Sequence, residues 1–396
     1  MTKLRYEFWI LPVFAGAALA YAAWLQEPVL WFLTYLSLLC AVLILVYKWR
    51  DWRGIEIVRT FRTRQQILEA GSEVRVMLVA KVSSYLPWPW LGVRDNVPAD
   101  LADKVMGRPG GNMVWAWRGG ARYVTYSLRQ LPRGIFYWRS VFVQSGDPFG
   151  MVTYENQIWT DDKLVVYPRT VPLNAFSFFP RRLEGTVARK AVNQGEIQLA
   201  GVREYKPGDR LSLIHWKATA KTNELHSKEF DPLMMSSSLV VLDCSAEAWG
   251  REGGPDFEEA VSVAASLVKA ALLQRIPVRF YSNFSEHSGS LRVSNRAEYF
   301  YLLLHLAGIA PTGKVLYSQA LYRDLALHNS NIVIVTAKQG QSIGEIMYRI
   351  SGRGNAVTVI QVGAGKPSRP WSGPGVSVVN IAKADDLSLH RTGEVL

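Results

Sequence analysis

Cysteine is scarce: the 396 residues include two, Cys40 and Cys244. Two cysteines build neither a disulfide framework nor a zinc site of the usual spacing, which fits a reducing compartment. The common catalytic signatures are missing as well. The six histidines (His215, His226, His287, His305, His328 and His390) form no HExxH pair. There is no Gly-x4-Gly-Lys-Ser/Thr phosphate loop and no Gly-x-Ser-x-Gly elbow, and Gly363-Ala364-Gly365-Lys366 reads as a loop. These absences argue against autonomous nucleotide hydrolysis. Cys244 lies in an apolar run, where a cysteine is usually a small buried residue rather than a nucleophile. Acidic residues are in deficit, 33 against 45 basic, for a net charge of +12. No RNA- or DNA-binding signature accompanies that excess, so no nucleic-acid partner is expected.

What the chain does have is hydrophobic length. Phe8–Gln26 and Pro28–Tyr47 are uncharged apolar runs separated by Glu27. Each is about 20 residues, the length a membrane-spanning helix needs. The pair predicts a transmembrane helical hairpin over residues 1–53. Trp9, Trp24, Trp31, Tyr47, Trp49 and Trp52 near the run ends suit aromatic belts. Lys3 and Arg5 precede the first run, and segment 48–64 carries six basic and two acidic residues. The positive-inside rule then predicts a multi-pass protein of the bacterial inner membrane, with both termini and the body in the cytoplasm. The basic segment also suits anionic headgroups.

Beyond the runs, residues 54–180 alternate in Glu73–Val82, Tyr123–Leu128, Gly134–Val143 and Lys163–Tyr167. Turn residues such as Pro132-Arg133-Gly134 and Asp147-Pro148-Phe149-Gly150 separate these stretches. That pattern predicts an all-β, sandwich-like domain. From Ser238 the period changes. Near-continuous apolar runs at Ser238–Leu242, Ile276–Tyr281, Ile332–Thr336 and Ala356–Val362 read as buried strands. Asp256–Gln274, Arg296–Leu306, Tyr317–Leu327 and Ile343–Ile350 read as helices between them. The alternation predicts a doubly wound, mainly parallel α/β domain over residues 233–396. As a whole the chain reads as an α+β multidomain membrane protein.

Residues 181–232 form the connector, and Gly195–Asp231 is its unusual part. Arg203-Glu204-Tyr205 leads to Pro207-Gly208-Asp209. Asp209 is placed to N-cap a helix whose apolar side holds Leu211, Ile214, Trp216 and Ala220. Asn223 is suited to close that helix in a left-handed conformation, and Glu224–Phe230 then extends as a strand. Trp216 is expected to be buried, clasping the two domains. The segment resembles the signature of the domain of unknown function 58 family: Arg203-Glu204-Tyr205, Pro207-Gly208-Asp209, Ile214-His215-Trp216-Lys217-Ala218-Thr219-Ala220 and Lys228-Glu229-Phe230. It departs where Ser212-Leu213 and Lys221 replace two usual arginines.

The resemblance implies a C-terminal domain similar to von Willebrand factor A. Such domains often hold Mg²⁺ on hard oxygen ligands. The implied ligands here are Asp243, Ser245 and Thr336, with Thr312 as a further threonine. Glu247 stands where a second Ser is usual, and Ala337 where an Asp is usual. The site is therefore degenerate, with no cofactor beyond a weakly held Mg²⁺ and polar contacts from Asp243, Glu247 and Lys338. The implied function is that of a non-enzymatic, membrane-anchored adaptor working with a MoxR-type AAA+ ATPase, in complex assembly or envelope stress handling. Two readings compete: a metal-dependent ligand-recognition module, and a hydrolase with an unrecognised site.

Overall fold

The computed structural model describes residues 10–25, 28–48, 54–63, 65–82, 88–109, 114–116, 120–146, 153–173, 178–179, 199–206, 214–230, 237–250, 253–284, 290–313, 330–337, 347–352, 354–363 and 376–389. The chain divides into two compact units, Met1–Val166 and Tyr167–Leu396. The first opens with helices α1 (Ile10–Leu25) and α2 (Pro28–Lys48). The expected two-span membrane hairpin is corrected here: among the described residues no helix is long and apolar enough to cross a membrane. α1 has 16 residues, which at a rise of ~1.5 Å reach about 24 Å, short of a ~30 Å hydrocarbon core. A hairpin needs both of its spans. The multi-pass inner-membrane localisation and the orientation drawn from the basic flanks fall with it. What the chain does build is mostly sheet.

Two four-stranded antiparallel sheets follow. One holds β1 (Ile55–Arg62), β2 (Val74–Val82), β4 (Val105–Met106) and β6 (Gly120–Leu128), in the order β1-β2-β6-β4. The other holds β3 (Trp88–Asp95), β5 (Val114–Ala116), β7 (Gly134–Gly146) and β8 (Thr153–Val166), in the order β5-β3-β7-β8. Along β2 the odd-step residues Val74, Val76, Leu78, Ala80 and Val82 are all buried, the period of a strand with one face in a core. They meet Val93, Trp138, Val141, Val143 and Leu164 of the second sheet. A charged group also lies in this interior. The Arg59 guanidinium makes a bidentate pair with Asp95, through Nη2 to Oδ1 at 2.6 Å and Nε to Oδ2 at 3.2 Å. It also donates to Asp162 and, at 3.0 Å, to Thr160 Oγ1. The Tyr126 hydroxyl donates to Asp95 Oδ2 at 2.6 Å. Burial, then the adjacent Asp95 charge, push the Tyr126 phenol far above its ordinary pKa.

Among its described residues the second unit contains two sheets. β9 (Leu199–Glu204) and β10 (His226–Phe230) form an antiparallel pair, with helix α3 (Trp216–Thr222) between them in sequence. The larger sheet has six strands: β11 (Ser237–Leu242), β12 (Val278–Ser282), β13 (Leu291–Val293), β14 (Ser330–Thr336), β15 (Ala356–Val362) and β16 (Val376–Ile381). Their order is β13-β12-β11-β14-β15-β16, all neighbours parallel except the antiparallel edge strand β13. Short helix α4 (Ala246–Trp249) and long helices α5 (Gly254–Leu273) and α6 (Arg296–Gly308) follow β11 to β13, and α7 (Asp386–Leu389) closes the described chain. α5 and α6 cover one face through Phe257, Val261, Leu267 and Leu302, packed on Val240, Leu242, Val333 and Val335. Met347 and Ile350 lie on the other, against Leu239, Val241, Ile332 and Ile334. β14 is buried at every position, which explains the apolar run Ile332–Val335 at its centre.

Candidate functional site at the sheet switch point

The chain leaves β11 to build β12 on one side and later returns to build β14 on the other. Between β11 and β14 the strand order therefore reverses. In open α/β sheets the carboxyl ends of the strands at such a reversal are where ligand sites form. Asp243 and Thr336 stand at those ends. The Asp243 amide donates to Val335 O at 3.0 Å, continuing the ladder past the last strand residue. Its carboxylate then accepts three hydrogen bonds. Thr336 Oγ1 donates to Oδ2 at 2.9 Å, while the Ser245 amide at 3.0 Å and Asn283 Nδ2 at 3.3 Å donate to Oδ1. Asn283 also accepts the Cys244 amide at 2.6 Å. Trp249 Nε1 donates to Asp243 O at 2.6 Å, and its ring stands edge-on to Phe257.

Backbone approach completes the arrangement. The Gly313 amide donates to Cys244 O at 2.9 Å. A Cβ on Gly313 would lie 2.4 Å from Asn283 O and 2.9 Å from Cys244 O, so only glycine fits without displacing backbone. Behind this loop His305 Nε2 lies 3.3 Å from Ser282 Oγ, with the rings of Phe280 and Phe284 edge-on to the imidazole. Burial holds the His305 pKa below the usual histidine value.

Of the expected ligands, the structure brings Asp243, Ser245 and Thr336 together. Thr312 is exposed and its amide donates to Ala310 O; its neighbour Gly313 is the one that reaches the loop. Asp243 is 1% exposed and Thr336 1%, so the carboxylate organises the loops from within. Glu247 is exposed on α4, and Lys338 lies outside the described residues. For Mg²⁺ the donor set is one carboxylate and two hydroxyls. One buried atom fits such an ion, since Ser245 Oγ has no hydrogen-bond partner. Among the described residues no group of three or more His, Cys, Asp or Glu could hold a metal. Sequence reading missed Asn283 and Gly313, because neither carries a motif and both act across the fold.

The signature segment is placed differently from expectation. Arg203 and Glu204 lie in β9, and the Tyr205 amide donates to Leu225 O at 2.9 Å. Pro207, Gly208 and Asp209 lie outside the described residues. α3 begins at Trp216, and its cap is His215, whose Nδ1 accepts the Ala218 amide at 3.0 Å. Asn223 closes the helix in the left-handed conformation, with φ of 60°. Thr219 Oγ1 accepts the His226 amide at 3.1 Å, fastening α3 to the hairpin. Ile214 is buried and bridges to Ser227. Trp216 is not the buried clasp the sequence suggested: it is 68% exposed, and Lys217 beside it is exposed too. Ile214 takes the interior place, so the large apolar side chain of the motif points to solvent.

Comparison with known proteins agrees with the signature. The family described as protein of unknown function DUF58 matches residues 201–275. A relative in Bacillus subtilis strain 168, the uncharacterized protein YeaD, is 27% identical over 274 residues. That match covers 66% of this chain and 64% of the relative, so the chain spans less than two thirds of the relative's length. Among solved structures, the C-terminal domain of wzt matches 28% of this chain and 73% of its own, at 14% identity and a TM-score of 0.20. An exo β-N-acetylglucosaminidase from Vibrio harveyi matches 78% of this chain and 57% of its own, at 10% identity and a TM-score of 0.19. Scores this low assign neither fold nor activity.

Proposed function

We propose that this chain is a non-enzymatic interaction protein whose C-terminal unit is of the von Willebrand factor A type. We further propose that it serves as an adaptor for a MoxR-type AAA+ ATPase, in complex assembly or envelope stress handling, without nucleic acid. The observation that carries this reading is the burial and internal hydrogen bonding of the switch-point carboxylate. Asp243 accepts three hydrogen bonds inside a sealed loop. A general base needs a reachable lone pair and a substrate within about 3 Å. Cys244, beside it, is buried and donates its thiol to Leu242 O. Such a loop displays a fixed surface rather than a reactive group. The ATPase partner comes from the signature resemblance. Crosslinking of the tagged full-length chain in extract, with and without ATP, tests it. ATP-dependent enrichment of such an ATPase supports the adaptor reading, and its absence from both samples overturns it.

The unpartnered Ser245 hydroxyl favours a second reading, metal-dependent ligand recognition. Asp243, Ser245 and Thr336 would hold the ion, which would offer its open positions to a partner's oxygen. With a single carboxylate the affinity would be no tighter than about millimolar. Micromolar Mg²⁺ saturation that Asp243→Ala abolishes would put this reading first.

A further inference from the structure

The sealed switch-point loop leaves open the question of which surface a partner meets, and α3 presents the most distinctive one. Its seven residues read Trp216-Lys217-Ala218-Thr219-Ala220-Lys221-Thr222. Ala218 and Thr219 are half-buried toward the hairpin, where Thr219 holds the His226 amide. Trp216, Lys217, Ala220 and Lys221 are exposed. Residues four apart lie on one helix face. Trp216 with Ala220, and Lys217 with Lys221, therefore form two adjacent outward stripes, one apolar and one cationic. α3 contains no acidic residue. The nearest carboxylates in sequence are Asp209, which lies outside the described residues, and the exposed Glu224 past the helix end; Glu204 on β9 is exposed as well.

Among the described residues, the module's buried contact and helix ends are made without this pattern. Ile214 supplies its buried apolar contact, and the helix ends are satisfied by His215 and Asn223. An exposed tryptophan costs solubility, and Trp is the residue most enriched among side chains that dominate binding energy. Two lysines beside it select against basic partners and favour acidic ones, by complementary potential.

We infer that the outward face of α3, Trp216 with Lys217, Ala220 and Lys221, is a docking surface for an acidic segment of a partner protein. The partner inserts an apolar side chain against the indole and sets carboxylates over the two ammonium groups. This inference rests on the adaptor reading and names the surface that reading would use.

The test uses the full chain and a fluorescein-labelled peptide, Glu-Glu-Leu-Tyr-Glu-Glu-Leu-Tyr-Glu-Glu, followed by anisotropy. Binding should weaken as salt rises, and a lysine-for-glutamate peptide should not bind. Trp216→Ala and Lys217→Glu/Lys221→Glu should each weaken binding by about tenfold or more. All variants should keep the wild-type melting midpoint, because these side chains are exposed. Unchanged peptide binding in both variants overturns the proposal, as does an absence of binding to the wild-type chain. Two other results overturn it by naming a different occupant. One is α3-dependent capture on phosphatidylglycerol vesicles but not on the peptide. The other is self-association that Trp216→Ala abolishes. The adaptor reading is judged separately: ATPase crosslinking that persists in the variants overturns only the docking surface, and ATPase absent from the wild-type crosslinks overturns the adaptor reading.

Discussion

Truncating Asp243 would remove one acceptor from three donors at once: the Thr336 hydroxyl, the Asn283 amide and the Ser245 backbone N–H. Each is buried, and a hydrogen bond to a charged group contributes about 1.5–3 kcal/mol. Asp243→Ala should therefore destabilise the second unit by about 3 kcal/mol or more. Asp243→Asn keeps the shape but turns an NH₂ toward one of the donors, so it should cost less, about 1–2 kcal/mol. Denaturant titration of the two variants measures the difference. If Asp243→Ala unfolds at the wild-type midpoint, the carboxylate is not the keystone of this loop. Gly313 is a second residue-scale constraint. Gly313→Ala puts a methyl 2.4 Å from Asn283 O, and overpacking against backbone should cost about 1–3 kcal/mol in the same titration.

At the scale of elements, what was legible depended on local period. β2 shows every second residue buried, and its alternation is plain in VRVMLVAKV. β11 and β14 are buried on both faces and carry the apolar runs Leu239–Leu242 and Ile332–Val335. α5 was visible in its apolar stripe, and the structure starts it at Gly254, two residues before the expected Asp256. Illegible were the features made by distance. Thr336 meets Asp243 across 93 residues, and Arg59 meets Asp95 across 36. Trp216 misled because a motif tryptophan reads as core, whereas Ile214 fills that role. The apolar N-terminal runs misled in a similar way. Hydropathy sets a composition, but α1 spans only 16 residues as a helix. The packing of α6 on β12 gives a pH prediction. His305 has a folded pKa below its ordinary 6.5, caused by burial. The unfolded chain thus takes up a proton first as pH falls through that value, and stability is lost on the way to the lower folded pKa. Melting midpoints between pH 7.5 and pH 5 should fall more steeply for wild type than for His305→Gln. Parallel curves would show that His305 contributes nothing to acid sensitivity.

At the scale of the molecule, two cores with no shared residue call for two transitions. The first unit is held by the clusters around Trp138 and Val141, and the second by those around Val240 and Leu239. Each is large enough to unfold as its own cooperative unit, and chains of this kind depart from two-state behaviour. Arg59 offers a way to address the first alone. Its side chain is fully buried and paired with Asp95, also fully buried. Removing one partner of such a pair leaves an uncompensated buried charge and costs about 3–5 kcal/mol. Arg59→Met should lower one calorimetric transition and leave the other in place. Asp243→Ala should do the reverse, shifting only the transition that Arg59→Met spares. The double variant should show the two shifts added, because sites without shared partners combine independently. A single transition moved by both substitutions would mean that the units unfold as one, and the assignment of separate stabilities would be wrong. The same experiment bears on the adaptor reading. If the two units are independent, a partner drawn to the α3 face can bind while the first unit stays folded or unfolds. Peptide binding to Arg59→Met at a temperature between its two transitions should then persist at the wild-type affinity.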